Sequence, residues 1–351
     1  MTHYIVLTKQ IANSIQTKSS VKTKLPRRDL SLLAERLNAS FLEQDNYPIQ
    51  LTDRILAKLS STPGNWAFAR FIASQLKSDD IVFCPGEEIG IPLAAILSSQ
   101  KKRPKIIVWF HRITGLKSRL ALKLFKIGSV VDLAVVNTNA NKKFVQKYLN
   151  FESDRCFFWR HTTDCSYFMP KDFSESKSKP IIASVGLEQR DYRLLASATE
   201  TLDVDVKVAG FSQFQSGVAK SFPKVLPANM TNKQYHLPEL VRLYHDARVV
   251  VVPLKENIGS AGITALLEAM ACKKATVCVK TKGLADYLLD EDAVMTIKPG
   301  DVDGLQKAIL YLLDNPEEAK SRAERAYQLV WEKNNLDGRV DAMVEFIKTV
   351  E

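Results

Sequence analysis

From Tyr4 to Ile297 the chain alternates apolar runs of strand length with segments of helical periodicity, and this alternation settles the fold class. The first half has strand candidates at Tyr4–Thr8, Ile81–Phe83, Lys105–Phe110, Asp132–Val136 and Cys156–Trp159. Helical patterns fall between them, over Asp29–Leu37, Glu88–Ser98, Leu116–Ile127 and Asn141–Leu149. The second half repeats the scheme with strands at Ile181–Val185, Asp205–Ala209, Lys224–Leu226, Arg248–Val252, Ala275–Val279 and Ala293–Ile297. Its helical patterns are Tyr192–Thr201, Pro238–Asp246, Gly262–Ala271 and Val302–Leu313. A strand–helix–strand order predicts parallel sheets covered by helices on both faces, an α/β architecture.

At 351 residues the chain exceeds what one hydrophobic core usually serves, so two domains are expected. The Pro-, Ser- and Lys-rich stretch MPKDFSESKSK, 169–179, reads as the joint. The expected division is 1–168 and 169–335, with 336–351 a C-terminal helix that returns toward the N-terminal domain. In doubly wound sheets ligands bind beyond the carboxyl ends of the strands, so a cleft between two facing domains is the expected site.

The charge is unevenly spread. Residues 1–170 hold 25 Lys and Arg against 13 Asp and Glu, while the remainder holds 24 against 26. The net charge of +10 therefore resides in the first half, which predicts an anionic partner there. No apolar run approaches the ~20 residues of a membrane span. The segment MTHYIVLTKQ reads as a first strand and not as a signal peptide. Five scattered cysteines without a CxxC pair predict reduced, packed thiols in a cytoplasmic protein and argue against zinc.

The chemistry concentrates in RVVVVPLKENIGSAGITALLEAMA, 248–271. A buried strand stops at Pro253, a loop of small and polar residues follows, and a helix begins near Ala261–Gly262. Free amide N–H groups at such a helix start make an anion site, and glycine lets the ligand approach the backbone. Glu268 shares a helix face with the small residues Thr264, Ala265 and Ala271. It reads either as a carboxylate reaching a ligand's hydroxyls or as a surface Glu.

PLKENIGSAGITALLEAMACKKATVCV resembles the donor-site signature of retaining GT-B glycosyltransferases of family four, the group 1 type. LPELVRLYHDARVVVVPL, IIASVGLEQRDYRLLASA and KPGDVDGLQKAILYLLDNPEEAKSRAERAYQLV resemble flanking parts of the same domain. VWFHRITG and RHTTDCSYFMP resemble the acceptor-domain His loop and the interdomain linker. The resemblance implies a GT-B fold of two facing Rossmann-like domains, with the acceptor bound by the first and a nucleotide-sugar donor by the second. It implies a retaining, metal-independent sugar transfer from a UDP- or GDP-type donor, with no other cofactor, to a lipid, glycan or small molecule. Three departures stand out. Ser260 occupies the place of the family's first motif Glu, Leu187 that of its Arg, and the Gly pair usual after the first strand is replaced by residues 9–26.

Carried onto this chain, the resemblance assigns donor contacts to Gly186, Arg190, Lys255, Ser260, Ala261, Gly262, Ile263, Thr264 and Glu268. Cations such as Arg190 and Lys255 would stabilise the departing diphosphate. A solvated surface charge is the alternative for each. His111, at the end of its strand, is assigned with Glu268 to the catalytic site. Glu87 and Glu88 either bind acceptor hydroxyls or cap the following helix.

The segment GLKSRLALKLFKIGS, 115–129, sets Leu116, Leu120, Leu124 and Ile127 on one face and Lys117, Arg119, Lys123 and Lys126 on the others. It reads as a core helix with a basic back, or as a helix that docks peripherally on anionic lipid at the inner membrane face. The triplets Asp203–Asp205 and Asp301–Asp303 read as caps and turns, not metal ligands. No dinucleotide or P-loop motif occurs, and no stacking-aromatic module supports nucleic-acid binding. The alternative to an enzyme is an inactive GT-B-like protein that binds sugar nucleotides or acts as a scaffold.

Overall fold

The structure, a computed structural model, describes residues 1–9, 11, 25–111, 116–171, 179–210, 221–257, 259–288 and 290–351. The side chains of 116–118 and 140 lie outside that description. So do Lys117's side chain, the His-loop residues 112–115, most of the expected linker and most of the segment replacing the Gly pair.

The chain divides into two compact units, Met1–Arg160 with Asp337–Glu351, and His161–Leu336. In the first unit, strands β1 (His3–Leu7), β2 (Ser40–Glu43), β3 (Ile81–Cys84), β4 (Lys105–Phe110), β5 (Leu133–Val136) and β6 (Cys156–Phe158) form one sheet in the order β2-β1-β3-β4-β5-β6. All its pairings are parallel. Its helices are α1 (Asp29–Leu37), α2 (Leu51–Leu56), α3 (Pro63–Gln75), α4 (Glu87–Leu97), α5 (Leu116–Leu124) and α6 (Asn139–Leu149). Every residue of β3 and β5 is buried, the pattern of strands covered on both faces.

The second unit repeats the plan. Strands β7 (Ile181–Val185), β8 (Asp205–Ala209), β9 (Met230–Asn232), β10 (Val249–Val252), β11 (Ala275–Val279) and β12 (Met295–Ile297) lie in the order β12-β11-β10-β7-β8-β9, again all parallel. Helices α7 (Tyr192–Thr199), α8 (Leu237–Asp246), α9 (Ile263–Ala271), α10 (Val302–Asp314) and α11 (Pro316–Asn334) complete it. Helix α12 (Leu336–Lys348) then joins the first unit. Its Asp337 accepts hydrogen bonds from Arg27 at 2.7 and 2.9 Å, and Phe346 packs on Phe157. Each unit has its own hydrophobic core. Both sheets with their helices are α/β, as the alternation predicts.

Several elements differ from the sequence reading. Lys224–Leu226 is not a strand, and Val225 is exposed. Pro223 and Pro227 bracket that run, and the edge strand forms at Met230–Asn232 instead. Residues 161–168 belong to the second unit, with Cys165 and Phe168 in its core. Helix α5 stops at Leu124, and Lys126 takes a left-handed backbone with φ 49° before a short 3-10 turn at Ile127–Ser129. Ile127 is buried, but Leu120 and Leu124 face solvent, so these two leucines do not enter the core. All five cysteines are free and buried. Asp301 caps α10 by accepting from the Gly304 amide at 2.8 Å.

Candidate active site

In the second sheet the strand order reverses between β7 and β10, the kind of switch point beyond whose carboxyl ends α/β sheets bind ligands. Backbone hydrogen bonds lace together the loops that leave these two strands. Asp191 N donates to Pro253 O at 3.0 Å, Lys255 N donates to Gln189 O at 2.9 Å, and Arg190 and Leu254 form an antiparallel bridge. Gly186, Arg190, Lys255 and the residues 260–264 are thereby gathered at one place.

Two glycines are required by that geometry. Gly186 has φ 114°, and a Cβ there would run into the Arg190 guanidinium. Gly262 has φ 92° and precedes α9, and a Cβ there would lie 2.8 Å from the Leu254 side chain. No side chain caps α9, whose first turn leaves amide N–H groups without intrahelical acceptors. Ser260 and Thr264 are exposed around that helix start, whereas Ala261 and Ile263 are buried beneath it.

Arg190 is buried. Its Nε donates to Val185 O at 3.0 Å and Nη1 to Glu188 O at 2.9 Å, so much of its donor capacity holds the loop's own carbonyls. Lys255 is exposed at the same loop junction. Glu268, two turns into α9, is partly exposed, and its Oε2 accepts from the Tyr244 hydroxyl at 2.8 Å. Burial raises the Glu268 pKa to about 7, against the lowering effects of the Tyr244 hydrogen bond and the Arg190 charge. Tyr244 is buried on α8, packs edge-on against Phe168, and is itself pushed well above the usual phenol range, chiefly by burial. The sequence reading missed Tyr244, because a contact between helices 24 residues apart leaves no local pattern.

In the first unit the order reverses between β1 and β3, and the residues expected there also meet. The His111 amide donates to Glu87 Oε2 at 2.9 Å, and its Nε2 lies 2.9 Å from Pro85 O. A carbonyl can only accept, so Nε2 carries a proton in that contact. The ring stacks on Trp109 at 4.6 Å, and the His111 carbonyl accepts from Asn141 Nδ2 at 2.8 Å. Glu88 folds its carboxylate over Gly86 at the start of α4, and burial raises its pKa. Asp29, at the start of α1, is likewise raised by burial, with His111 among the charges that oppose the shift. The sequence reading took Asp29 only as a helix start. His111 and Glu268 belong to different units, one to each site.

Residues 192–329 match the family model described as glycosyl transferases group 1. By sequence, no curated protein matches the chain. Solved structures match it along nearly its whole length. A glycosyltransferase from Rickettsia africae ESF-5 superposes with a TM-score of 0.72 at 12% identity, over 99% of this chain and 98% of the other. HepE from Anabaena, solved in complex with UDP, gives 0.69 at 13% identity over 99% and 100%. Sucrose-phosphate synthase from Thermosynechococcus elongatus gives 0.68 at 15% identity over 99% of each chain. Residues 192–329 of the second unit are thus similar to glycosyl transferases of group 1. The chain as a whole has the GT-B fold of such glycosyltransferases.

Proposed function

We propose that this protein is a retaining glycosyltransferase that moves a hexose from a nucleoside diphosphate donor, of UDP or GDP type, to an acceptor held by the first unit. The observation that carries the reading is the pair of laced loops at the β7/β10 reversal, which sets an uncapped helix start beside Glu268. The α9 amides and Lys255 stabilise the diphosphate as it departs, without need of a chelated metal. Glu268 pairs with sugar or ribose hydroxyls. His111 serves the transferred sugar. Glu87 and Glu88 border the acceptor. Retention means that the acceptor enters on the face from which the diphosphate leaves, with a donor phosphate oxygen taking its proton.

The acceptor class favoured by the charge of the first unit is a lipid in an anionic bilayer, with α5 as a peripheral contact. The exposed Leu120 and Leu124 beside Arg119, Lys123 and Lys126 support it. Among the described residues no helix is long and apolar enough to cross a membrane. Buried thiols suit a cytoplasmic face.

Thermal denaturation with UDP, GDP, ADP and TDP tests the donor site. A ligand at ~100 times its dissociation constant adds about 2.7 kcal/mol. Turnover of the stabilising sugar nucleotide, with the product anomer read by NMR, tests the reaction and its retention. A protein stabilised by a nucleotide but turning over no donor supports the second reading, an inactive sugar-nucleotide-binding protein. Ser260 at the motif's first Glu and the commitment of Arg190 to loop carbonyls favour that reading.

A further inference from the structure

Helix α2, LTDRIL, is built inside out. Its acidic residue, Asp53, is buried, while Leu51 and Ile55, one turn apart, are 74% and 54% exposed. Asp53 is sealed by Arg70 Nη2 at 2.8 Å and by the Gln50 amide at 2.8 Å. Arg54 and Lys58 are exposed beside the apolar pair, and Ile49 extends it on the incoming loop. A helix whose outer face met only water would carry the opposite pattern. A helix of 6 residues gains little from its own backbone hydrogen bonds, so its outward apolar pair calls for a covering partner.

Helix α5 presents the same arrangement, with Leu120 and Leu124 52% and 55% exposed among Arg119, Lys123 and Lys126. Helix α3 ties the two together. Trp66 takes Phe125, just beyond α5, in an edge-on contact at 5.5 Å, and Arg70, one turn later on the same face of α3, takes Asp53 of α2. Both helices follow carboxyl ends of the first sheet, α2 after β2 and α5 after β4. The chain that follows α2 and the chain around α5 share one sign of charge. No Asp or Glu occurs between Asp53 and Asp79, nor between Glu88 and Asp132.

We propose that α2 is a second docking element for an anionic lipid bilayer, acting beside α5 on the carboxyl side of the first sheet. Leu51, Ile55 and Ile49 enter the headgroup–acyl boundary, and Arg54 and Lys58 pair with lipid phosphates. Charge complementarity selects this occupant, because a second copy of the chain would bring two acid-free tracts face to face. The inference rests on the reading of α5 as a bilayer contact and extends it to a segment remote in sequence.

Flotation of the full-length protein with phosphatidylcholine vesicles, with and without a quarter phosphatidylglycerol, tests it. The wild type is expected to float with the anionic vesicles at low salt and to remain behind with the neutral ones. Leu51→Ser/Ile55→Ser is expected to lower the bound fraction at least tenfold with an unchanged melting temperature, as is Leu120→Ser/Leu124→Ser. Arg54→Glu/Lys58→Glu is expected to do the same without altering apolar surface. An α2 double variant that floats like the wild type while the α5 variant does not overturns the role of α2 and leaves that of α5 standing. A wild type that ignores anionic vesicles yet is stabilised by a nucleotide overturns the bilayer contact and leaves the transferase reading intact. Self-association of the wild type that is lost in the α2 variant assigns the face to a second copy and overturns the lipid.

Discussion

The Tyr244 hydroxyl donates to Glu268 Oε2 at 2.8 Å, from the interior of α8 to the partly exposed rim of α9. One oxygen of the carboxylate is thereby fixed by the protein, and the group keeps a defined orientation on α9. Glu268→Gln is expected to preserve the fold and to lower turnover at least ~100-fold, about 2.7 kcal/mol at the transition state. Steady-state kinetics with circular dichroism as the folding control checks this, and wild-type rates in a folded variant would remove Glu268 from the reaction.

The same carboxyl should be visible in the pH dependence of stability. Its folded pKa of about 7 lies above the ordinary 4.5, so the folded state holds the proton more tightly. The stabilisation is complete below about pH 4.5 and is lost as pH rises through about 7. The melting temperature of Glu268→Gln relative to the wild type is therefore expected to be higher at pH 8 than at pH 5. Parallel melting curves of the two proteins across that range would contradict the assignment.

Lys255 and Arg190 are expected to behave differently. Lys255 is exposed at the loop junction, so Lys255→Ala should weaken UDP binding more than uridine binding and leave the melting temperature unchanged. Arg190→Ala strips the carbonyls of Val185 and Glu188 of their donor and should lower the melting temperature by about 4–8 °C. Calorimetry with UDP and uridine beside thermal melts separates the two. An equal loss of both ligands in Lys255→Ala would place that lysine off the diphosphate.

Gly262→Ala tests the helix start itself. The substitution puts a Cβ against Leu254 at a backbone φ of 92°, so the loop must move or unfold locally. A cost of about 1–3 kcal/mol is expected, with loss of nucleotide-induced stabilisation. Retained stability together with full UDP protection would mean that α9 starts elsewhere in solution.

The central strands were legible because parallel strands buried on both faces are continuous apolar runs. Lys105–Phe110, Ile181–Val185 and Ala275–Val279 match residue for residue, and Asp205–Ala209, whose burial alternates instead, matches as well. The edges were not. β2 is mostly exposed and carries no such run, and Lys224–Leu226 imitated a strand between two prolines. Helix α2 escaped because its pattern is inverted, with Asp53 inward and Leu51 outward. At the site, the small residues and glycines around 260–262 announced a backbone-lined loop. The inward fold of Arg190 and the Tyr244 partner of Glu268 were hidden, since both depend on contacts made only after the sheets assemble.

The return of α12 makes residues 161–336 an insertion within the first unit rather than a domain appended to it. Synthesis proceeds from the N-terminus, so the first sheet leaves the ribosome well before the helix that bears Asp337 and Phe346. Arg27 and the Phe157 ring must wait through the whole of the second unit before their partners arrive. The second unit is thus the one able to complete itself first, and the first unit is closed only by the residues made after it.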